Sequence, residues 1–348
     1  MKLDVTKLDQ WQIPEEWLRI KTLDAHTGGE PLRIILEGYP DLPGDTILLK
    51  RRYATAHYED IRKALMWEPR GHADMYGCIL TPPVTSEADY GVLFIHNEGF
   101  STMCGHAVIA LSKVLIETGI YPAQEPLTTI KIDAPPGLIT SYAQVENNRV
   151  TNVFFRSVPA FVLAQDRSVD VPGLGNIRYD IAFGGAFYAF VHAQDAGVEL
   201  KPKCYGELIQ KGMAIKHAVM ASEDIRHPVE ADLGFLYGTI FTGPAEDEQH
   251  HSRNVCIFAD GEVDRSPTGS GVSARMALHH ARNEINEKEP VIIESILGTT
   301  MTASVHDTLS WEGYDAVIPE VGGTAYITGI NEFLVDPEDP LKRGFFFR

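Results

Sequence analysis

The sequence predicts an α+β fold of two pseudo-symmetric domains, each a curved mixed β-sheet wrapped around one central helix. Three observations lead to this prediction. The same features occur twice in the same order, and each copy contains several strands, one helix and then several more strands. The first of these helices is apolar on nearly all sides, as expected of a helix buried inside its own domain. A chain of 348 residues is also long enough for two domains.

The repeat consists of four features that recur about 160 residues later in the chain. They are a Gly-Gly pair entering an apolar strand, a Tyr-Gly strand, a helix start after a strand and turn, and a later strand with an embedded glycine. Their positions and later counterparts are Gly28 and Gly184, Tyr76 and Tyr237, Cys104 and Thr268, and Gly137 and Gly298. Four matches in order with similar spacing indicate a duplicated domain.

The two central helices follow directly after Cys104 and Thr268. The first is apolar nearly all round and is predicted to stop at Gly119, a typical residue just beyond a helix end. The second is predicted to be shorter and to span about 269–282.

Similar strand runs follow both helices, and by symmetry we expect the chain to cross between domains there. The N-terminal domain would then comprise 1–157 plus 322–348 and carry Cys104. The C-terminal domain would comprise 158–321 and carry Thr268. The active site is expected in the cleft between them.

Composition narrows the possible classes of protein. The chain is 44% hydrophobic and 22% charged, which is typical of a globular protein rather than a disordered one. Its formal net charge of −18 disfavours nucleic acid and anionic membrane surfaces as partners. No run of residues is long and apolar enough for a membrane span, and the N-terminus lacks the apolar core of a signal peptide. We therefore expect a cytoplasmic protein.

Four cysteines in a chain of this length do not form a disulfide framework. No CxxC or HExxH motif is present, so a metal site has little support. Cys78 and Cys256 lie in strand-like apolar runs and are expected to be small buried residues. Cys204 is expected at the surface, without a role. Cys104 differs because it opens a helix and is followed by Gly105 and His106.

The two helix starts, Cys104-Gly105-His106 and Thr268-Gly269-Ser270, are suited to anion binding. The first N–H groups of a helix have no internal partner and carry the positive end of the helix dipole. Glycine allows a ligand to approach the backbone closely. Two such ends facing one cleft could hold a small carboxylate from both sides, despite the acidic net charge.

Each candidate side chain has a structural alternative. The helix dipole is expected to lower the pKa of Cys104 and make its thiol a general base, whereas the alternative is a buried core cysteine. Thr268 could hydrogen-bond a ligand or simply cap its helix. Asp264 could pair with a substrate ammonium or only order the turn before Thr268.

A nucleophilic cysteine hydrolase is disfavoured by spacing. Cys104 and His106 lie two positions apart at a helix start, where their side chains are expected to diverge rather than form a thiolate–imidazolium pair.

At these residues the sequence resembles the proline racemase family, whose members include proline racemases, 4-hydroxyproline 2-epimerases and trans-3-hydroxy-L-proline dehydratases. The resemblance spans nearly the whole chain in four motifs, of which the third and fourth together are the most specific. They are DAHTGGEPLRI (Asp24–Ile34), EPRGHADMYG (Glu68–Gly77), MCGHA (Met103–Ala107) and DRSPTGSG (Asp264–Gly271). The family fold, shared with diaminopimelate epimerase, has two domains and uses neither pyridoxal phosphate nor a metal, so no cofactor is expected.

The resemblance also implies roles for particular residues. Cys104 matches the first catalytic cysteine, a general base for the Cα proton. The substrate-binding positions are Gly105, His106, Asp264, Gly269 and Ser270, of which His106 and Asp264 match groups at the ring nitrogen. Tyr76 and Phe258 match aromatic residues of the ring pocket, although strands commonly carry core aromatics at such positions.

The departure from the family pattern is Thr268, which stands where racemases and epimerases keep a second catalytic cysteine. A single base can still remove the Cα proton, and the carbanion can expel a hydroxyl from C3. The resemblance therefore implies a cofactor-independent lyase that dehydrates trans-3-hydroxy-L-proline, through Δ2-pyrroline-2-carboxylate, to Δ1-pyrroline-2-carboxylate. Thr268, directly or through a water, would assist the leaving hydroxyl.

Two alternatives remain open at this point. One is an isomerase, a proline racemase or 4-hydroxyproline 2-epimerase that uses Thr268 or a water as its second acid. The other is a catalytically inactive binding protein for an imino acid. In each case the partner is a small imino acid, and a homodimer is compatible with the sequence.

Overall fold

The computed structural model describes residues 3–347, except for the side chain of Asp9. Over these residues the chain forms an α+β fold in which eighteen strands make one continuous sheet and five α-helices accompany it. The elements of the first half are β1 (Leu18–Thr27), β2 (Glu30–Glu37), α1 (Ile47–His57), α2 (Glu59–Met66), β3 (Tyr76–Thr81), β4 (Tyr90–His96), β5 (Phe100–Ser101), α3 (Gly105–Glu117), β6 (Leu127–Ala134), β7 (Gly137–Glu146) and β8 (Arg149–Arg156).

From β10 to β17 the second half follows the same order with one outer helix fewer, and β9 and β18 are additional strands that precede and follow it. Its elements are β9 (Ala160–Val171), β10 (Gly175–Phe183), β11 (Phe187–His192), α4 (Tyr205–Ser222), β12 (Leu236–Gly243), β13 (Ser252–Phe258), β14 (Glu262–Val263), α5 (Gly269–Ala281), β15 (Val291–Glu294), β16 (Thr300–Trp311), β17 (Tyr314–Gly323) and β18 (Ala325–Val335).

Strand pairing repeats between the halves. In the first half, β1 and β2 are antiparallel, β2 and β3 are parallel, and β4 is antiparallel to β3 but parallel to β6. In the second half, β10, β11, β12, β13 and β15 show the same sequence of pairings. The Gly-Gly pair at Gly28 lies in the turn between β1 and β2, and the pair at Gly184 lies in the equivalent turn between β10 and β11. The duplication seen in the sequence is therefore a repeated topology.

Helices α3 and α5 lie inside their sheets. Of their thirteen residues each, all but two are buried in both helices. Gly119 adopts φ +74°, the left-handed conformation that glycine tolerates and that ends α3 as predicted. The prediction that the second helix is shorter is wrong, because α5 ends at Ala281 and matches α3 in length.

Helices α1, α2 and α4 pack on the outside of the sheet, and the sequence pattern did not single them out. Thr46 caps α1 by accepting the Leu49 N–H at 3.1 Å. Helix α4 packs closely on β13, since Gly212 lies directly against Ile257. These helices cover the sheet faces that α3 and α5 do not reach.

The two halves join at a seam where β8 of the first half pairs with β17 of the second half. Arg156 pairs with Glu320, and the Ser157 N–H donates to the Pro319 carbonyl at 3.1 Å. After this seam, β18 pairs antiparallel with β1, and Val335 lies opposite Leu18. The C-terminal segment therefore joins the first half. We propose that the domain boundaries lie at this seam, near residues 157 and 321.

Candidate active site

A small cavity lies between the N-termini of α3 and α5. Its volume is about 20 Å³, roughly the room that one water molecule needs, so the walls must separate to admit a larger ligand. All nine residues singled out by the sequence line it, together with five others. The lining residues are Glu30, Tyr76, Met103, Cys104, Gly105, His106, Tyr188, Tyr237, Cys256, Phe258, Asp264, Thr268, Gly269 and Ser270.

The helix starts meet at their glycines. A methyl group added to Gly105 would lie 2.7 Å from the Gly269 Cα, and one added to Gly269 would lie 2.8 Å from the Gly105 Cα. Carbon atoms normally approach to about 3.5–4.0 Å, so only glycine permits this contact. The contact brings the unpaired N–H groups of two helix ends into one cavity.

Cys104 precedes α3 in an extended conformation (φ −146°, ψ 101°), and its side chain caps no helical N–H. Burial raises the pKa of its thiol well above the ordinary value. The nearby Ala107 backbone N–H lowers this pKa, but by less than burial raises it. The expected lowering of the Cys104 pKa is therefore wrong for the closed cavity, because removal from water outweighs the helix dipole. A cation placed in the cavity would favour the thiolate.

His106 lies directly beside Cys104. Its Nδ1 is 3.1 Å from the Cys104 Sγ, and its Nε2 is 3.2 Å from the Pro31 carbonyl oxygen. Because a carbonyl can only accept, Nε2 carries the hydrogen and Nδ1 is unprotonated. The Cys104 Sγ is also 3.7 Å from Nε2, so the thiol lies over the face of the imidazole ring. Burial lowers the pKa of His106 to about 3, so the resting pair is a neutral thiol and a neutral imidazole.

The prediction that these two side chains diverge is therefore wrong. The helical spacing rule does not apply to Cys104, which stands outside the helix with extended backbone angles and turns its thiol back towards His106.

Thr268 adopts φ +69°, a left-handed conformation that is costly for a β-branched residue. Its hydroxyl makes no capping bond, so the alternative of a plain helix cap does not describe it. The buried Oγ1 atom makes no well-formed hydrogen bond among residues 3–347, although it lies close enough to the Asp264 carboxyl and the Cys256 thiol to oppose the rise in the pKa of both groups. Because strained backbone and unpaired buried hydroxyls are both unfavourable, their combination at the cavity wall points to a function for Thr268.

Two carboxyl groups face the cavity. Asp264 is buried and accepts the Ser266 N–H at 2.7 Å, so it both orders the turn and presents a buried acid. Burial raises its pKa to about 6. Glu30 accepts the Arg265 N–H at 2.8 Å through Oε2, whereas its Oε1 is buried without a partner in the described part of the chain. Burial and the charge of Asp264 raise the pKa of Glu30 well above its ordinary value.

Aromatic rings form the remaining wall. The Tyr76 ring lies 4.9 Å from the His106 ring and 6.2 Å from the Phe258 ring. Tyr237 stacks on Phe258 with ring centroids 5.3 Å apart, and the Tyr188 hydroxyl pairs with the Ser270 hydroxyl at 2.7 Å. Such a wall suits the hydrocarbon part of a small ring.

Five lining residues were not identified as site residues from the sequence. Tyr237 is the repeat counterpart of Tyr76, and that relation could have identified it. Glu30 lies within the motif that starts at Asp24. Cys256 is buried, as expected of a core cysteine, yet it also lines the cavity, and burial raises its pKa well above the ordinary value. Met103 is the first residue of the MCGHA motif, whereas Tyr188 carried no signal.

A second cavity, of about 350 Å³, lies at the other end of α5. It contains neither helix start nor cysteine, and several of its charged groups already pair with each other. Arg282 pairs with Asp166 and Asp180 at 2.8 Å, and His279 pairs with Glu284 at 2.6 Å. The smaller cavity therefore has the arrangement expected of a reaction centre.

Two further findings concern residues 3–347 as a whole. None of their helices has the length and apolarity that a membrane-spanning helix needs. No group of three or more His, Cys, Asp or Glu side chains in this range is arranged to hold a metal ion.

Taken together, the cavity offers two anion-binding helix ends, two carboxyl groups, one thiol paired with an imidazole, and an apolar wall. This set can bind a small zwitterion and remove a proton from it.

Comparison with known proteins agrees with this arrangement. A family model described as proline racemase matches residues 22–346. A trans-3-hydroxy-L-proline dehydratase from Colwellia psychrerythraea is 50% identical over 345 residues, which cover 98% of this chain and 97% of that protein. The human trans-3-hydroxy-L-proline dehydratase is 45% identical over 336 residues, covering 94% of this chain and 95% of that protein.

Among solved structures, a hydroxyproline epimerase from Agrobacterium vitis with bound trans-4-hydroxy-L-proline is 28% identical, with a TM-score of 0.91 and 96% of each chain covered. Since the family model and these relatives all extend over nearly the whole chain, the chain belongs to the proline racemase family.

Proposed function

We propose that this protein is a hydro-lyase that dehydrates trans-3-hydroxy-L-proline to Δ1-pyrroline-2-carboxylate. The observation that carries the proposal is the asymmetry of the helix starts, with a thiol at Cys104 and a hydroxyl at Thr268. Relatives with 45–50% identity over nearly the whole chain are named as trans-3-hydroxy-L-proline dehydratases, which supports the same conclusion.

The substrate would be held by its two charged groups. The backbone N–H groups at the start of α3 (Gly105 and His106) and of α5 (Gly269 and Ser270) would hold its carboxylate. Asp264 would accept a hydrogen bond from the ring ammonium. The imidazole nitrogens of His106 are already engaged by Cys104 and Pro31, and we propose that Glu30, with its unpaired oxygen, supplies the second acceptor.

The reaction then needs one base. The Cys104 thiolate takes the Cα proton, and the helix-end N–H groups stabilise the charge that spreads onto the carboxylate. The electron pair at Cα forms the C2–C3 double bond as the C3–O bond breaks. Protonation of the leaving hydroxyl gives water and the enamine Δ2-pyrroline-2-carboxylate. Tautomerisation of this enamine gives the Δ1 product without a change in oxidation state.

Epimerisation would need a second acid on the opposite face of Cα. Thr268, which stands at the helix start opposite Cys104, does not ionise in a useful range and is a poor proton donor. The isomerase alternative is therefore the less supported one, although the fold is very similar to that of a hydroxyproline epimerase.

Entry of the substrate requires the two halves to move apart. The cavity has room for about one water molecule, and the absence of bulk water strengthens the electrostatic interactions within it. We also propose a cytoplasmic location, which the four free cysteines support.

Conversion of trans-3-hydroxy-L-proline, followed by NMR, tests this proposal. Cys104→Ser is expected to reduce kcat by about 10²–10⁴-fold, the usual contribution of a general base. The matched control is Cys204→Ser, a half-buried cysteine outside the cavity, which should retain activity. Full activity of Cys104→Ser would contradict the assignment, as would loss of activity in Cys256→Ser alone.

A further inference from the structure

The strained backbone of Thr268 is held by hydrogen bonds on both sides. Thr268 has φ +69° and stands immediately before α5. On its C-terminal side, the Thr268 carbonyl accepts the Val272 N–H at 2.7 Å, which is the first hydrogen bond of the helix. On its N-terminal side, the Thr268 N–H donates to the Ser266 hydroxyl oxygen at 3.1 Å. A strained residue persists only where its surroundings fix it in this way.

Asn254 holds the same peptide unit from the other side. Its Nδ2 donates to the Pro267 carbonyl at 3.1 Å, so the peptide between Pro267 and Thr268 is bonded through both its carbonyl and its N–H. Asn254 is fully buried on β13, two residues before Cys256, and the two side chains therefore lie on the same face of the strand. Cys256 lines the active-site cavity, whereas Asn254 lies outside it and contacts the turn before α5.

Arg275, on α5, determines the orientation of the Asn254 amide. Its Nη1 donates to the Asn254 Oδ1 and to the Ser252 hydroxyl oxygen, both at 2.8 Å. A guanidinium can only donate, so the amide must turn its oxygen to Arg275 and its NH₂ group to Pro267. Arg275 is buried, and both of these partners are uncharged. Burying a cation without a carboxylate partner is costly, which indicates that the position of this charge serves a purpose.

The first half of the chain lacks this arrangement. Cys104 corresponds to Thr268, but it has extended backbone angles (φ −146°) and no left-handed strain. The seventh residue of α5 is Arg275, whereas the seventh residue of α3 is the buried Leu111, which cannot orient an amide. The polar contacts therefore accompany the strained helix start rather than a central helix in general.

We propose that Asn254 and Arg275 are positioning residues for the reaction, which hold Thr268 in its strained conformation and thereby direct the first N–H groups of α5 at the substrate carboxylate. The inference rests on the proposed dehydratase function. The peptide between Pro267 and Thr268 leads the chain into α5, so its rotation would move these N–H groups together with the Thr268 hydroxyl. Because the N–H groups stabilise charge that develops in the transition state, their displacement lowers kcat as well as raising KM.

Asn254→Asp tests the proposal because it separates the contact with Arg275 from the contact with Pro267. A carboxylate at this position still accepts from Arg275 and gives the buried cation a counter-ion, but it cannot donate to the Pro267 carbonyl. We expect the melting temperature to be unchanged or higher, while kcat/KM for trans-3-hydroxy-L-proline falls about 10–100-fold. A residue with only a structural role would lower activity and stability together. The matched control is Ser252→Ala, which removes the other acceptor of Arg275 and should keep wild-type activity.

Two further measurements separate position from charge. Asn254→Ser removes the same donor without adding a charge, and kcat/KM should fall similarly at a temperature at which this variant is folded; it also serves if Asn254→Asp does not fold. In a crystal structure of the variant used, Thr268 should leave the left-handed conformation or the peptide before it should rotate. Wild-type activity in either Asn254 variant would overturn the proposal, as would an unchanged backbone at Thr268. Absence of dehydration by the wild-type protein would instead contradict the proposed function itself.

Discussion

Replacing Gly269 by alanine should force the two helix starts apart. The added methyl would lie 2.8 Å from the Gly105 Cα and 3.1 Å from the Gly105 carbonyl carbon. Ordinary carbon contacts begin at about 3.5 Å, so the helix ends must separate by roughly 0.7 Å or more. Overpacking of this kind costs about 1–3 kcal/mol of the free energy of unfolding. A displacement approaching 1 Å at a reaction centre can reduce turnover by about 10²-fold.

Two assays check this prediction. Denaturant unfolding measures the loss of stability, and steady-state kinetics with trans-3-hydroxy-L-proline measure kcat and KM. The matched control is Gly206→Ala, near the start of α4, where an added methyl meets nothing within 4 Å. That variant should keep full activity and gain up to about 1 kcal/mol, because alanine restricts the unfolded chain. Wild-type activity and stability in Gly269→Ala would refute the reasoning about the glycine contact.

Further predictions concern three side chains of the cavity. The pKa of Asp264 is raised to about 6, so its carboxylate becomes protonated as pH falls through that value. We therefore expect kcat/KM for trans-3-hydroxy-L-proline to fall on the acid side of about pH 6. In Asp264→Asn this acid limb should disappear together with most of the activity; an unchanged limb would assign it to another group. Because the folded pKa lies above the ordinary value of 3.8, the stability contributed by protonated Asp264 should be lost as pH rises through about 6. Thermal unfolding of wild type and Asp264→Asn across pH 4–7 measures this loss. Glu30→Gln should raise KM by about 10–100-fold, the effect of losing one hydrogen bond to a charged group, with little change in melting temperature; an unchanged KM would remove Glu30 from the binding site. Thr268→Cys places a thiol at the second helix start and should introduce epimerisation of L-proline, detected as D-proline by chiral chromatography. Dehydration should become slower in this variant. If the folded variant shows no epimerisation, the missing thiol is not the reason for the specificity.

Much of the fold could be predicted because the chain repeats itself. The correspondence between Cys104 and Thr268 located both central helices, and their apolar sequences indicated burial. Repetition also placed the helix starts opposite each other, so Gly105 and Gly269 could be expected to line one cleft. The outer helices were not predicted, since α1, α2 and α4 have no counterpart in the four repeated features.

The electrostatic details of the site could not be predicted from spacing. The helix dipole acting on Cys104 is visible in a sequence, but the burial that raises its pKa depends on both halves closing over it. The Cys104–His106 contact depends on the extended backbone before α3, which the helical spacing rule does not describe. Cys256 reaches the cavity through tertiary packing, and no local pattern distinguishes it from a core residue.

The central claim is that a thiol at one helix start, without a second at the other helix start, directs this fold towards dehydration. The most direct test is an NMR time course of the wild-type protein in D₂O with trans-3-hydroxy-L-proline, trans-4-hydroxy-L-proline and L-proline as separate substrates. We expect rapid conversion of the first to Δ1-pyrroline-2-carboxylate, with no inversion at Cα in the other two. Formation of D-proline or the 4-hydroxyproline epimer at a rate that rivals dehydration would contradict the account.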